Sequence, residues 1–453
     1  MSEVIAELDD TTIVAIATPP GRGGIGVVRL SGPLAHTIAT HLVRTQQPLS
    51  PGRVRLCVVV DHADTRIDDA LVTAFRAPHS YTGEDVVEIA THGSPIVLDW
   101  LVRAAVQHGA QPARAGEFTE RAFLRGRIDL TQAEAVRDLI DAQTLGQVRL
   151  AAEQLGGALA LQIAPGKQAL LALIATLEAG IDFAEDDLDT LPHAQIAQRI
   201  HDLLPPLQTL LSSFAHGRLM REGLRLAIVG RPNAGKSSLF NRLVQSDRAI
   251  VTATPGTTRD VIAERIALDG IPVELLDTAG LRDTLDEAER IGVQRSRQAI
   301  AEADVVLLVT DASQPLHADD ADLLASLAGR AALLVRNKCD LQPASPAPQP
   351  NIATSALTGE GLDPLRAAVL KLARGNLAAA AGSATLTNLR QRDAVARCIA
   401  ALNRALAATA AATPHEMLLL DLHEGLQALD ELTGQTHADD ILHLIFSTFC
   451  IGK

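Results

Sequence analysis

The 453-residue sequence is poor in aromatic side chains and carries no excess of positive charge. Aromatic residues make up 2% of the chain, fewer than a protein that binds single-stranded RNA by base stacking requires. The formal net charge is -14, which argues against tight, sequence-independent binding to nucleic acid, because such binding depends on neutralising phosphates. The arginines Arg121, Arg125 and Arg127 predict either a local basic patch or an ordinary solvated surface.

Cysteine is also scarce. The four cysteines form no C-x-x-C pair, which argues against a zinc site or a redox dithiol and favours a reducing compartment; they are Cys57, Cys339, Cys398 and Cys450. The N-terminus has no basic stretch followed by an apolar core, and no run of about 18 apolar residues occurs. We therefore expect a cytoplasmic protein without a signal peptide or a membrane span.

The length predicts several domains, since a single domain usually spans roughly 100 to 200 residues. Residues 1–125 mix β-type runs with turns and indicate an α/β domain. Residues 126–222 and 378–453 are helical in pattern, whereas residues 223–377 alternate short apolar runs with helical segments. We predict a multidomain α/β plus all-α protein, in which a Ras-like P-loop G domain with a mainly parallel sheet is inserted into a discontinuous helical domain.

Local signals predict where several elements begin and end. Short apolar runs predict strands at residues 13–17, 54–60, 86–90, 224–229, 273–276, 305–309 and 333–335. Residues 21–24 and 81–84 read as loops, and Thr131 with Glu134 fits a capping box at the start of a helix. Residues 378–384 resemble a linker, and prolines predict helix breaks at Pro165, Pro192, Pro205 and Pro206.

A phosphate-binding loop is the first chemical motif. Residues 230–237 read G-R-P-N-A-G-K-S and match G-x-x-x-x-G-K-[ST], after a predicted strand and at the start of a helix. The backbone N–H groups of such a loop and the helix N-terminus point at phosphates. Lys236 is expected to reach the β- and γ-phosphates, and Ser237 is expected to ligate Mg²⁺. The other expected contacts in this loop are Asn233, Ala234, Gly235 and Ser238.

Later motifs follow in the order of a GTPase. A threonine pair precedes a D-T-A-G segment, where an aspartate supports the magnesium shell and a glycine N–H senses the γ-phosphate. An N-K-x-D motif then provides an aspartate that accepts from guanine N1–H and N2–H₂, and a final loop contacts the base. The residues concerned are Thr257, Thr258, Asp277, Thr278, Ala279, Gly280, Asn337, Lys338, Asp340, Ser355 and Ala356. Five motifs in order predict a domain that binds and hydrolyses GTP.

The sequence predicts either very slow GTP hydrolysis or a means of hydrolysis that differs from that of Ras. Leu281 occupies the position where Ras-like proteins carry the glutamine that positions water. Asn233 resembles the asparagine of GTPases that use a potassium ion in place of an arginine finger and that are activated by pairing of G domains. Residues 251–258 would then form the loop that wraps the ion. The alternative is that Asn233 only caps a turn.

Motifs at both ends of the chain narrow the class further. The chain closes with F-C-I-G-K at residues 449–453, and residues 18–26 read T-P-P-G-R-G-G-I-G. Residues 116–124 read G-E-F-T-E-R-A-F-L, and residues 129–135 read D-L-T-Q-A-E-A. Together with the inserted G domain, these stretches resemble the bacterial tRNA modification GTPase family MnmE (TrmE) over essentially the whole chain.

The resemblance implies partners and an activity. It implies a homodimer formed through the N-terminal domain, which would be similar to tetrahydrofolate-binding folds, and a heterotetramer with the flavoprotein MnmG. The complex would attach an aminomethyl or carboxymethylaminomethyl group to C5 of the wobble uridine of tRNA. The one-carbon unit would come from 5-formyl- or 5,10-methylene-tetrahydrofolate, and potassium-dependent pairing of G domains would drive GTP hydrolysis. Any redox step lies with the partner, since the sequence has no flavin or NAD fingerprint.

The resemblance also assigns residues to ligands. The implied folate contacts are Arg29, Glu88, Arg127 and Lys453, with Arg127 standing where the family often has lysine. Mg²⁺ would be held by Ser237 and Thr258. The implied potassium ligands are the side chains of Asn233 and Thr252 and the main-chain oxygens of Thr254 and Thr257. The family usually has aspartate and isoleucine where this chain has Ala253 and Thr254, a change that a backbone ligand tolerates.

Two residues are candidates for catalysis. Glu289 matches the family's glutamate that orients the attacking water through a second water, and its alternative is a solvated helix charge. Cys450 is either a nucleophile in the modification chemistry or a small packed residue.

Two other functions compete with tRNA modification. A ribosome-assembly GTPase of the Era or Der type would carry a KH-like domain after the G domain, whereas this chain has acidic helices and C-I-G-K. A scaffolding GTPase that assembles by G-domain pairing would need no folate pocket, so folate binding separates it from the first hypothesis.

Overall fold

The computed structural model describes residues 11–182, 191–247, 263–277, 299–341, 350–374, 384–435, 442 and 445–452. The chain divides into two compact units. The first unit combines Met1–Arg137 with Asp430–Lys453, and the second is Asp138–Leu429. The predicted linker at residues 378–384 lies almost wholly outside the described residues. The domain boundaries predicted above stay predictions.

A seven-stranded sheet forms the centre of the first unit. Its spatial order is β3-β4-β5-β6-β2-β1-β7, and neighbouring strands are antiparallel except for β1 and β7. The strands are β1 Ile13–Ile16, β2 Gly23–Ser31, β3 Val43–Arg44, β4 Val54–Val60, β5 Arg66–Phe75, β6 Val86–Gly93 and β7 Gln111–Pro112. This unit is therefore the mixed α/β domain that the sequence predicts.

Alternation along the strands decides which face of this sheet is buried. Val59, Val72 and Ile89 point to one face and are fully buried, since strand side chains alternate with a period of two. Helices cover that face with apolar residues such as Ile38 and Leu101. The helices of the unit are α1 Ala35–Leu42, α2 Pro95–Gln107, α3 Glu117–Leu124 and α4 Leu130–Asp141.

Helix α4 begins with a different cap from the predicted one. Asp129 accepts from the N–H of Gln132 at 2.9 Å, and Gln132 accepts from the N–H of Asp129 at 2.9 Å. Thr131 already lies inside the helix and donates its hydroxyl to Asp129. The prediction of Thr131 and Glu134 as the capping box was wrong by two residues, because the aspartate upstream satisfies the first free N–H groups.

The predicted basic patch does not exist in the structure. Arg121 is 1% exposed and pairs with Glu84 at 3.1 Å and with Glu117 at 3.0 Å. Arg125 also pairs with Glu84, at 2.8 Å. Two of the three arginines are thus neutralised by buried carboxylates, and Arg121 is neither a basic patch nor a solvated surface.

The helices of the second unit correct the predictions made from proline. They are α5 Leu145–Leu155, α6 Ala158–Asp182, α7 His193–Ser212, α8 Phe214–Glu222, α9 Lys236–Asp247, α10 Ala318–Ser326, α11 Leu362–Arg374, α12 Leu389–Ala410 and α13 His415–Thr433. Pro192 is the N-cap of α7, as predicted, but Pro165 lies inside α6 and the pair Pro205 and Pro206 lies inside α7. These three prolines are exposed, so the carbonyls that they free face solvent while the buried side of each helix continues.

A six-stranded sheet carries the second set of motifs. Its order is β13-β12-β11-β8-β10-β9, and every neighbouring pair is parallel except β9 with β10. The strands are β8 Leu224–Val229, β9 Ala263–Leu268, β10 Ile271–Asp277, β11 Val305–Asp311, β12 Ala332–Asn337 and β13 Asn351–Ala353. The sheet confirms the predicted G domain with mainly parallel strands.

The predicted strands all exist, with ends shifted by a few residues. The sequence reading missed β2, β3, β5, β7, β9 and β13, and it placed Gly23 and Gly24 in a loop although both begin β2. One described helix segment, Ala158–Ile181, is long and apolar enough to cross a membrane by length and composition alone. A core helix of a soluble protein passes the same test, so this segment is weak evidence for a membrane span.

Candidate nucleotide site and N-terminal pocket

The phosphate-binding loop connects β8 to α9. Gly230, Asn233 and Gly235 have φ values of 141°, 63° and 91°, so the loop needs residues that tolerate the left-handed region. A Cβ on Gly230 would overlap the carbonyl oxygen of Val309. Lys236 is the first residue of α9, and its Nζ donates to the carbonyl of Arg231 at 2.8 Å. Ser237 and Ser238 are exposed in the first helical turn.

Asn337 joins three of the predicted motifs. Its Nδ2 donates to the carbonyl oxygens of Ala234 and Gly235 at 3.2 and 3.4 Å, and its Oδ1 accepts from the N–H of Ala356 at 3.0 Å. The side chain is 1% exposed. The phosphate loop, the guanine-reading motif and the last base-contacting loop are therefore held together by one buried amide.

Residues that follow Asn337 in the motif, and those that contact them, lie at the same end of the sheet. Lys338 has a left-handed backbone with φ of 65°, and its Nζ pairs with Asp311 at 2.6 Å. Asp340 is exposed in the turn that follows. Ser355 is fully buried and its hydroxyl accepts from the N–H of Thr358 at 3.1 Å. Sequence reasoning missed Asp311, whose only signal is its place at the carboxyl end of a strand.

Several predicted site residues lie outside the described part of the chain. They are Thr252, Thr254, Thr257, Thr258, Thr278, Ala279, Gly280, Glu289 and Lys453. Asp277 is described as the last residue of β10, where its backbone pairs in register with Ile228 of β8. The roles assigned to these residues stay predictions.

A second pocket lies in the N-terminal unit. Arg29 and Glu88 are directly opposite in the ladder of β2 and β6, and Nε of Arg29 donates to Oε1 of Glu88 at 2.8 Å. A cavity of about 390 Å³ beside this pair is lined by Phe75, His79, Ser80, Tyr81, Val86, Glu88 and Arg127. The structure thus brings together three of the four residues predicted to contact folate.

Two aromatic rings lie close to the guanidinium of Arg29. The guanidinium carbon of Arg29 lies 5.6 Å from the ring centroid of Tyr81 and 5.6 Å from that of Phe118. The Tyr81 hydroxyl is 2.9 Å from the hydroxyl of Thr119, and burial raises the pKa of Tyr81. Tyr81 belongs to a segment that the sequence correctly predicted as a loop, but its contact with Arg29 was not foreseen.

The C-terminal residues of the chain reach this pocket. Ile451 forms an isolated bridge with Ala115, and the carbonyl of Gly452 accepts from Nη1 of Arg29 at 3.4 Å. A Cβ on Gly452 would overlap the backbone carbonyl of Ile16, so this close approach requires glycine. Cys450 is exposed and its carbonyl accepts from the N–H of Gly116 at 3.5 Å. The terminal C-I-G therefore lies against Arg29 and Ala115, and its role in folate binding stays a prediction.

The parallel sheet, the phosphate loop and the guanine-reading motif define a P-loop GTPase. The model of the MnmE helical domain matches residues 130–450, and that of the GTP-binding protein TrmE N-terminus matches residues 12–127. The chain belongs to the MnmE (TrmE) family of tRNA modification GTPases.

Full-length relatives agree with this assignment. The tRNA modification GTPase MnmE of Koribacter versatilis (strain Ellin345) is 54% identical, with 98% of this chain and 99% of the relative covered. The protein of the same name from Roseiflexus castenholzii is 44% identical at the same coverage. A solved structure of Aquifex aeolicus Era with GDP and AlF₄⁻ is 26% identical over 39% of this chain and 66% of that one. Its TM-score of 0.27 carries no argument.

Proposed function

We propose that this GTPase and a flavoprotein partner, MnmG, install an aminomethyl or carboxymethylaminomethyl group at C5 of the wobble uridine of tRNA. The observation that carries the proposal is the Asn337 side chain, which binds the phosphate loop and the last base-contacting loop within a chain whose MnmE relatives match it over 98% of its length. The alternative of an Era-type ribosome-assembly GTPase is less supported, because relatives named as tRNA modification GTPases match this chain over 98% of its length.

The N-terminal pocket fits a tetrahydrofolate derivative. A carboxylate such as Glu88 accepts hydrogen bonds from the N–H donors of a pterin, and Arg29 and Arg127 provide cations for carbonyl or carboxylate oxygens. Lys453, next to the docked Gly452, would supply a further cation. When bound, the folate would supply the one-carbon unit, and this chain's residues would bind and orient it.

The nucleotide site supports two metal proposals. Ser237 and Thr258 would hold Mg²⁺, which neutralises charge on the phosphates when bound. The side chains of Asn233 and Thr252 and the carbonyls of Thr254 and Thr257 would hold K⁺. Among these, Asn233 is described, and its exposed, left-handed position fits either a ligand or a simple turn residue. Glu289 would orient the attacking water.

Potassium dependence separates the two roles of Asn233. The measurement is GTP turnover by the pure chain in potassium buffer and in sodium buffer. Strong stimulation by potassium, lost in Asn233→Ala while GDP still binds, supports the ion-binding role. Equal, slow rates in both buffers would mean that potassium does not activate GTP hydrolysis and that Asn233 is only a turn residue.

The N-terminal unit also has a surface suited to a homodimer. Leu56 and Leu71 are directly opposite on β4 and β5, on the face away from the helices, and are 72% and 49% exposed. Exposed apolar pairs of this kind favour association. Leu71→Glu is expected to yield monomers in analytical ultracentrifugation. Leu161→Glu, at a position 72% exposed on α6, is the matched control and should leave the dimer intact.

Cys450 and the cellular location complete the proposal. The exposure of Cys450 supports a role for its thiol as a nucleophile, and a cytoplasmic location follows from the proposed tRNA substrate. Cys450→Ser with normal GTP turnover and no modified uridine would support the nucleophile. Unchanged modification of the wobble uridine would refute the role of Cys450 as a nucleophile.

Reconstitution tests the whole function. Purified chain, MnmG with its flavin, an undermodified tRNA, 5,10-methylene-tetrahydrofolate, GTP and either ammonium or glycine as the source of the amino nitrogen are combined in potassium buffer. The tRNA nucleosides are then separated by liquid chromatography and identified by mass spectrometry. The modified wobble uridine is expected only when all components are present. Product that forms without this chain, or the absence of product although the chain hydrolyses GTP, would contradict the proposal.

A further inference from the structure

Asp311 and Lys338 form an ion pair beside the nucleotide motifs. Lys338 Nζ lies 2.6 Å from Oδ2 of Asp311, and the side chains are 34% and 12% exposed. Lys338 is the second residue of the guanine-reading motif, whereas Asp311 belongs to none of the motifs. The lysine of the guanine-reading motif therefore has an ion-pair partner, Asp311, that lies outside the motif.

The carboxylate of Asp311 is itself held in place. Its Oδ1 accepts from the N–H of Ser313 at 2.9 Å and from the Ser313 hydroxyl at 2.6 Å. Asp311 is paired in register with Asn337, and the N–H of Ala312 donates to the carbonyl of Asn337 at 2.7 Å. One oxygen is thus fixed by the local turn, and Oδ2 is left to hold Lys338.

Lys338 needs such a partner for two reasons. Its φ of 65° is unfavourable for a residue with a Cβ, and its four-carbon side chain loses rotamer freedom when it is ordered. Its Cε lies 3.9 Å from the position that a Cβ would occupy on Gly235, so the stem passes along the phosphate loop. Burial raises the pKa of Asp311, but hydrogen bonds from Lys338 and Ser313 more than offset this and lower it, which keeps the carboxylate charged at neutral pH.

We propose that Asp311 is a positioning residue for guanine nucleotides, which holds Lys338 extended along Gly235 and thereby fixes the guanine-reading loop against the phosphate loop. The inference rests on the GTP site described above. In this proposal, Asp311 acts on nucleotide affinity through its ion pair with Lys338.

A double-mutant cycle on GDP affinity tests this route. Asp311→Asn is expected to weaken GDP binding about threefold to tenfold, with the thermal midpoint nearly unchanged. Lys338→Met should weaken it at least as much, and the double variant should be no weaker than Lys338→Met alone. Asp311→Glu keeps the charge and should recover most of the affinity. Asp322→Asn, an exposed aspartate on α10, is the matched control and should bind GDP like the wild type.

The outcomes separate this inference from the nucleotide site itself. Unchanged GDP affinity in Asp311→Asn would overturn the inference, and so would losses that multiply in the double variant, because the two residues would then act independently. If Asp311→Asn does not fold, the GDP affinities of Asp311→Glu and Lys338→Met are compared instead. The inference predicts near wild-type affinity for Asp311→Glu and weakened affinity for Lys338→Met, and any other result would overturn it. A wild-type chain that fails to bind GDP would instead refute the nucleotide site.

Discussion

Arg29 and Glu88 face each other across two neighbouring strands and are joined by a hydrogen bond of 2.8 Å at the wall of the N-terminal cavity. Glu88→Gln keeps the shape of the side chain but removes its charge, so binding of 5-formyl-tetrahydrofolate should weaken about tenfold or more. Isothermal titration measures the affinity. GDP affinity of the same variant is the control and should not change, and equal folate affinity would place the ligand elsewhere.

The buried arginine of the N-terminal unit should dominate the stability of that unit. Arg121→Met removes the buried cation that the carboxylates of Glu84 and Glu117 share, a loss of about 3–5 kcal/mol. The exposed Arg66, which pairs with Asp69 on β5, is the matched control, and Arg66→Met should cost about 0–1 kcal/mol.

Fluorescence of Trp100, the only tryptophan of the chain, reports on this unit during urea unfolding. Arg121→Met should move the transition of Trp100 to clearly lower urea, and Arg66→Met should barely move it. Equal shifts would mean that the buried network contributes no more than a surface pair.

The thiol of Cys398 should make the second unit sensitive to alkali. Cys398 is fully buried in α12, and burial raises the pKa of its thiol from an ordinary value of about 9.0 to about 12. Because the folded state keeps the proton that the unfolded state loses, this group's contribution to stability should fall by about 1.4 kcal/mol per pH unit between pH 9 and pH 12. Cys398→Ala should unfold with a shallower pH dependence over that window when helix content is followed by circular dichroism. An unchanged pH dependence of stability in Cys398→Ala would mean that burial does not keep the thiol protonated in the folded state.

Gly146 should be required where α5 contacts the turn between β9 and β10. The Thr144 hydroxyl donates to the carbonyl of Gly270 at 2.6 Å, and a Cβ on Gly146 would overlap that same carbonyl. Gly146→Ala is expected to destabilise the second unit by about 1–3 kcal/mol. Gly180→Ala is the control, because nothing lies within 4 Å of its Cβ position and alanine favours a helix there. A Gly146→Ala variant as stable as Gly180→Ala would contradict the contact.

Much of the G domain could be predicted from the sequence. The strand β8 has the predicted bounds, and the loop that follows it adopts the left-handed conformations at Asn233 and Gly235 that its residue types permit. These features are local, since an apolar run followed by a glycine-rich loop specifies its own backbone. β5 was missed because its buried face is made of Ala70, Val72 and Ala74, which gives a weak apolar signal beside two aspartates.

Features that depend on distant residues were not predictable in the same way. Arg121 reads as a surface charge until Glu84, 37 residues away, lies beside it. Pro165 reads as a helix break until the exposed side of α6 is known. The pairing of Asp311 with Lys338 likewise needs two strands in register. In each case tertiary contacts decide the role of a residue whose local signal points elsewhere.

The central claim is that GTP turnover at this site drives modification of the tRNA. Asp340 should accept hydrogen bonds from guanine N1–H and N2–H₂, and an asparagine amide at position 340 can instead donate to the C2 carbonyl of xanthine. The most direct measurement is the yield of modified wobble uridine in the reconstituted reaction, with wild type and Asp340→Asn each given GTP or XTP. We predict product from the wild type with GTP alone and from Asp340→Asn with XTP alone. Product from Asp340→Asn with GTP at the wild-type yield, or product with no nucleotide, would contradict the account.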